Sequence, residues 1–449
     1  MSILSLFPIR HFYVDPDSIA GLAGKDTIQF TSTVANDLLT LDADVTGIEA
    51  VTFTGSAAIG LDASTVVNAL IINGNSGNND ITGTGFNDTI DGNGGVDTLD
   101  GGAGDDKFVL DSLAEFNSIA IAADAGTITG GDGTDTVFFT GAVATSLVLT
   151  DDFAVEKFTL GTLAGKTNEL ANINIDASAL TNGITLTGNS GKNILIGSDF
   201  ADTLIGGAGK DTLTGGDGDD EFHFASSTHF VVGEIVNGEA GTDTASLTGT
   251  GTLTLTAAGF LNIEQFAVGA TVATTNAGSI NASALASVVL RGNNGGNVLT
   301  GTLGADTIDG HGGKDTLNGR AGADDLDGGD GDDILLLGST ADYVGDIIQG
   351  GLGTDTLRFT GVAGQTLTLN TDTDGLDKVV LSTATGTDFD DVLTGGAGLD
   401  TLIGGDGNDT FAFTATSHIA GEVFQGGYRH RYGDLQLHWQ PGLRHLYRH

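Results

Sequence analysis

The sequence predicts an all-β chain, an elongated parallel solenoid of short strands joined by glycine-rich turns. Three observations lead there. A nine-residue pattern of glycine, aspartate and one aliphatic or Phe recurs along the chain. The stretches between alternate Thr with Leu or Val, as in "SLVLT" and "TLTLT", which is strand patterning. The acids outnumber the bases 59 to 16, for a formal net charge of -43, and nearly all of them are Asp.

Each observation excludes something. So acidic a surface repels nucleic acid and anionic membrane and attracts cations. Disorder would also suit glycine and charge, but 39% hydrophobic content at regular spacing argues for a packed core. Cysteine is absent, so neither disulfides nor thiol chemistry enters. No apolar run is long enough for a membrane span, and "MSILSLFPIRHFYVDPD" lacks the basic start of a signal peptide. At 449 residues the chain exceeds what one compact core usually holds.

The nonapeptide is clearest from Gly206, where "GGAGKDTLT" is followed by "GGDGDDEFH". Gly leads, Asp or Asn holds position six, and an apolar residue holds position eight. Blocks of it span 74–109, 188–223, 292–336 and 386–412. Single copies start at Gly21, Gly130, Gly238 and Gly350. The first six residues of a unit suit a turn, since glycine supplies positive φ and close backbone approach. The last three suit a short strand with its central residue inward. When such units stack, position-six carboxylates fall into columns beside turn carbonyls. A cage of hard oxygens suits Ca²⁺, with six to eight ligands, better than the small octahedron of Mg²⁺. Zn²⁺ is disfavoured, because the units lack Cys and nearly lack His.

With roughly fifteen copies in phase, the chain resembles the repeats-in-toxin (RTX) family, whose haemolysin-type calcium-binding unit reads GGxGxDxUx. The resemblance implies a right-handed parallel β-roll with two nonapeptides per coil. Several Ca²⁺ ions would each lie between a turn and the turn one coil further on. Carried onto this sequence, the carboxylate pairs are Asp88 with Asp106, Asp202 with Asp220, Asp306 with Asp324, Asp315 with Asp333, and Asp391 with Asp409. Asp97, Asp211 and Asp400 occupy the other edge, where their partners are Asn79, Asn193 or nothing, so weaker or capping sites are expected there. Asn297 opens the third block in the same way, so Asp315 can face both Asn297 and Asp333. Asn79, Asn193, Asn297 and the single-copy Asp26, Asp135, Asp243 and Asp355 are expected to form weaker or capping sites.

The blocks sit inside a longer repeat of roughly 105–115 residues. "GIEAVTFTG", "AVEKFTLG", "NIEQFAVG" and "GLDKVVLS" are equivalent, as are "GLDAST", "NIDASAL" and "SINASAL". Segments 21–73, 110–187, 224–291 and 337–385 are read as strand rungs that continue the solenoid without calcium; separate small β-sandwiches are the alternative. A block alone makes too few coils for a stable core, so neighbouring rungs must cap it and the array must be continuous. "NDLLTLDADV" and "DSLAEFNSIA" are the places where a turn or two of helix is expected. Residues 1–20 read as an interior cut through a long repeat, and 413–427 as a truncated rung. From 428 to 449 the composition turns basic and aromatic, as a shifted reading frame would make it.

No motif for catalysis appears. None of the nine histidines is placed as HExxH, and no serine stands in GxSxG. The repeat accounts for the acid pairs without glycosidase chemistry. His229, His311 and His418 read as packing, exposed or capping residues. The expected function is therefore a non-enzymatic, extracellular calcium-binding segment of a larger bacterial surface protein, an adhesin or surface-layer protein. The family resemblance further implies type I export and folding on Ca²⁺ outside the cell. Expected partners are calcium ions, with a cell surface or self-assembly as candidates. The alternative is the accessory region of a secreted protease or lipase whose catalytic domain lies outside this chain.

Overall fold

A computed structural model describes residues 3–5, 12–13, 19–120, 126–142, 144–151, 153–161, 171–359, 373–381, 392–394, 401–405, 410–412 and 423–426. The architecture is a β-solenoid. One face is an 18-stranded sheet, and the other consists of ladders of seven, six and nine strands. Consecutive strands of a face pair in parallel, as Thr185–Thr187 does with Thr203–Ile205 and that strand with Glu221–Phe224. Within a block the chain returns to the same face every eighteen residues, which is two nonapeptides per coil.

Positions seven to nine form the strands because position eight alone is buried. Thr307–Asp309 and Thr316–Asn318 show it, with Ile308 and Leu317 fully enclosed and their neighbours outward. Stacked coils line these residues up. Ile72, Ile90, Phe108 and Val137 form a run on one face, and Leu195, Leu213 and Val236 one on the other. Each large side chain so buried contributes about 1.5–3 kcal/mol, and since it packs chiefly on the coils above and below, the array gains stability by length.

The inter-block segments add strands to the same two faces and make no separate sandwich among the described residues. Two of them widen the coil. After Thr136–Phe139 the chain lays down Thr145–Val148, which pairs forward with Ile173–Asp176, then Phe153–Ala154, which pairs back with Thr127–Asp132. Gly251–Thr254 and Phe260–Leu261 repeat this manoeuvre. The wider cross-section is filled by phenylalanines. Phe116 stacks on Phe153 at 5.4 Å between ring centroids, and Phe230 on Phe260 at 4.5 Å.

One expected helix is present and one is not. Leu113–Ala120 is helical. Ser112 caps it by accepting the Glu115 N–H on its hydroxyl, and Phe116 reaches the core. "NDLLTLDADV" instead contains the strand Asp37–Thr40. Its apolar residues Leu39 and Leu41 are both buried, a period of two that overrides the leucines' helical preference. Near the chain start, Ile3–Ser5 and Phe12–Tyr13 pair in parallel with Thr27–Thr31 and Asp37–Thr40. The rest of 1–18, and all of the tail 427–449, lie outside the described residues.

Candidate metal sites

Stacking brings the position-six residues into two columns, one along each edge of the roll. The link between coils is regular. Where position six is Asp, one side-chain oxygen accepts the backbone N–H of the residue at the same place one coil earlier; where it is Asn, as at Asn79, Asn193 and Asn297, the side-chain amide donates to a carbonyl there instead. Thus Leu70 donates to Asp88, Asp88 to Asp106, and Asp106 to Asp135, at 2.6–2.7 Å. Asp202, Asp220 and Asp243 repeat the run, as do Asp306 and Asp324. On the other edge Asn79 donates to Asp97 and Asn193 to Asp211, while Asn297, Asp315, Asp333 and Asp355 form a run of four. The pairs expected within the first three blocks are all juxtaposed. Asp391, Asp400 and Asp409 lie outside the described residues.

The second carboxylate oxygen divides the turns into two kinds. In one kind it accepts the N–H of position two of its own turn. Leu22 closes Asp26 in this way, Thr84 closes Asp88, Ser198 closes Asp202 and Thr302 closes Asp306. Asn75, Asn189 and Asn293 close the amide oxygens of Asn79, Asn193 and Asn297. In the other kind, position two is left-handed and its N–H turns away, often to the residue before the turn. Gly102 N–H goes to Asp100, for example, and His311 N–H to Asp309. Even non-glycine residues adopt this conformation there, with φ of 56° at Asn93, 75° at Glu239, 64° at His311 and 73° at Arg320.

The open kind leaves carboxylate oxygens stranded. Oδ2 of Asp106, Asp135, Asp211, Asp220, Asp243, Asp315, Asp324, Asp333 and Asp355 is buried with no hydrogen-bond partner among the described residues. All nine belong to turns with a left-handed second residue. A buried carboxylate without a counter-charge is expensive, so these oxygens point to a missing positive group.

The surroundings fit calcium. A Cβ placed on Gly310 would sit 2.7 Å from Asp315 Oδ2 and 2.5 Å from the carbonyl oxygen of Gly328, one coil on. The glycine therefore keeps an oxygen-lined space open between coils. Adjacent strands lie about 4.8 Å apart, and Ca²⁺ takes oxygens at about 2.3–2.6 Å, so one ion spans the gap. Mg²⁺, at about 2.0–2.1 Å, falls short of both walls. No three acidic or histidine side chains converge into one cluster among the described residues, so the remaining ligands would have to be main-chain carbonyls.

Electrostatics agree. Burial pushes the carboxyls of Asp97, Asp106, Asp220 and Asp315 up to about 7, against the lowering effect of the N–H each accepts. Asp211, Asp324 and Asp333 rise to about 6 for the same reason. Asp88, Asp202 and Asp306 are also raised by burial, but the closed turn supplies extra donors that work against it.

This geometry ranks the residues differently from the repeat pattern. The single-copy Asp135, Asp243 and Asp355 are open and stranded like the block aspartates, because position two of their turns is Gly131, Glu239 or Gly351. Asp88, Asp202 and Asp306 sit in closed turns. The columns also extend beyond the nonapeptides. Asp26 donates to Glu49, Asp135 to Glu156, Asp243 to Glu264 and Asp355 to Asp377. The signal was present as an acid two residues before an apolar one, the spacing of positions six and eight without the glycine turn.

A parallel β-solenoid whose turns hold stacked, uncompensated aspartates belongs to the cation-binding class of repeat folds. The family model for the RTX calcium-binding nonapeptide repeat, which spans four copies of the repeat, matches residues 73–108, 187–222, 291–326, 312–344 and 383–413. The chain therefore carries RTX calcium-binding repeats and is a calcium-binding repeat protein, with repeats enough for several ions. No curated protein matches it.

Proposed function

We propose that this chain is the extracellular, calcium-folded structural or adhesive segment of a larger bacterial surface protein, and that it is not an enzyme. The observation that carries the reading is the set of stranded, buried Oδ2 atoms in open turns along the roll. Bound Ca²⁺ supplies the positive charge that lets these columns stack. Asp106, Asp135, Asp211, Asp220, Asp243, Asp315, Asp324, Asp333 and Asp355 would be its carboxylate ligands, with Asp97 in a tenth open turn. The closed turns of Asp88, Asp202 and Asp306 then begin each block as self-satisfied caps. Extracellular calcium modules bind at about 10⁻⁴–10⁻³ M, so such a segment would stay unfolded where free calcium is scarce and fold where it is plentiful.

Regular solenoid through both blocks and inter-block rungs supports a spacer or adhesive role over a catalytic one. No helix among the described residues is long and apolar enough to cross a membrane. Surface labelling of intact cells tests the assignment. A membrane-impermeant amine reagent should modify the parent protein's lysines, such as the exposed Lys314, without lysis. Labelling only after lysis would contradict an extracellular segment.

A further inference from the structure

The coil after the third block carries a buried aspartate that no nonapeptide contains. Asp346 follows the turn Gly338–Gly345 and precedes the strand Ile347–Gln349. It is 1% exposed. That strand pairs with Asp325–Asp327, which sets Asp346 one coil beyond Asp324. Its Oδ1 accepts the Asp324 N–H at 2.9 Å across 22 residues, the link made elsewhere by position six across eighteen. This bond pins the carboxyl in the gap between the coils. Its Oδ2 has no partner among the described residues, and neither does Asp324 Oδ2.

We propose that Asp324 and Asp346 form a calcium site whose far wall is this non-repeat turn. The site rests on the reading that open turns hold calcium, and extends it beyond the nonapeptide. A cleft of about 340 Å³ opens between the two turns, with Arg320 and Ala321 on one side and Gly338 and Asp342 on the other. The Arg320 guanidinium does not fill the place of the cation, since its Nη1 donates to the Ser283 carbonyl on an earlier coil. Asp342 is already satisfied by the Gly338 N–H and the Ser339 hydroxyl, and contributes charge rather than a free oxygen. The second block supplies a contrast. Glu234, in "VGEIV", lies one coil beyond Asp211, but its carboxylate accepts the Val231 N–H of its own turn, as in the closed turns. Asp346, in "VGDIIQ", is open.

Tyr343 makes the site observable. It is mostly buried, and its carbonyl accepts the Asp346 N–H. No other Tyr or Trp lies between residues 14 and 427. Tb³⁺ takes the same hard oxygen donors as Ca²⁺ and emits when a nearby excited tyrosine feeds it energy. With the full chain, tyrosine-excited Tb³⁺ emission should drop sharply in Tyr343→Phe. It should drop to the same level in Asp346→Asn, which should also bind about one Ca²⁺ fewer per chain. Asp106→Asn should keep the Tyr343-dependent emission. The comparison of wild type with Tyr343→Phe needs no change at the site, so it decides even if Asp346→Asn folds poorly. Equal emission from those two proteins, or full emission and calcium count in Asp346→Asn, would overturn the site. A wild-type chain that binds no calcium would sink the preceding reading as well. Binding of several ions without a Tyr343-dependent signal would sink this site alone.

Discussion

Chelating calcium should cost the chain most of its β structure, and restoring millimolar Ca²⁺ should return it. The expected effect is large because the sites are not peripheral. Among the described residues, ten stranded carboxylate oxygens lie within the stack itself, between coils whose strands must pair for the aliphatic ladder to form. Removing one partner from a buried charged pair typically costs about 3–5 kcal/mol. Domains are stable by only about 5–15 kcal/mol, so several uncompensated sites are enough to unfold one. Far-UV circular dichroism with excess chelator, then with Ca²⁺, reads this directly. Mg²⁺ at the same concentration should restore little. An unchanged spectrum in chelator would show that the solenoid stands without its cations.

Acid should do part of calcium's work. In the metal-free chain, burial raises Asp106, Asp220 and Asp315 to about 7 and Asp211, Asp324 and Asp333 to about 6, well above the ordinary carboxylate range. Between that range and these values the folded state binds more protons than the unfolded one. The stabilisation is therefore fully present below about pH 4 and is lost as pH climbs through 6 to 7. Calcium-free protein should show β structure near pH 4 that melts toward pH 7–8. With calcium bound, folding releases no such penalty and the dependence should reverse, because protons compete with the ion for the same oxygens. A calcium-free protein more ordered at pH 8 than at pH 4 would contradict the burial of these carboxylates in the folded state.

What could be read from the sequence, and what could not, follows from the range of the interactions. The nonapeptide was legible because its turn and inward residue are local, and a strand needs only Thr203, Leu204 and Ile205 to declare itself. The link from Asp202 to Asp220 followed once eighteen residues were taken as a coil. The division into open and closed turns was not legible from position six, which is Asp in both Asp88 and Asp106. It depends on the backbone at position two. There Thr84, Ser198 and Thr302 turn their N–H inward, while Glu239, His311 and Arg320 adopt a left-handed φ. The column ends at Glu156 and Glu264 were hidden because a different turn delivers each of them. The strand at Leu39 was not legible locally, because only neighbouring coils make its alternation count. The phenylalanines of the widened coils, Phe116 and Phe153 among them, come together from segments whose pairing reverses direction along the roll, which no local pattern records.

Calcium should occupy the gaps between open turns and leave the closed ones empty. An anomalous difference map from crystals grown in calcium tests it most directly. Peaks are expected beside Oδ2 of Asp106, Asp220, Asp315 and Asp333, each between that turn and the next coil. None is expected at the self-satisfied amide oxygens of Asn79, Asn193 and Asn297. Peaks confined to outward-facing acids such as Asp105, Asp219 and Asp332, with the column gaps empty, would contradict it.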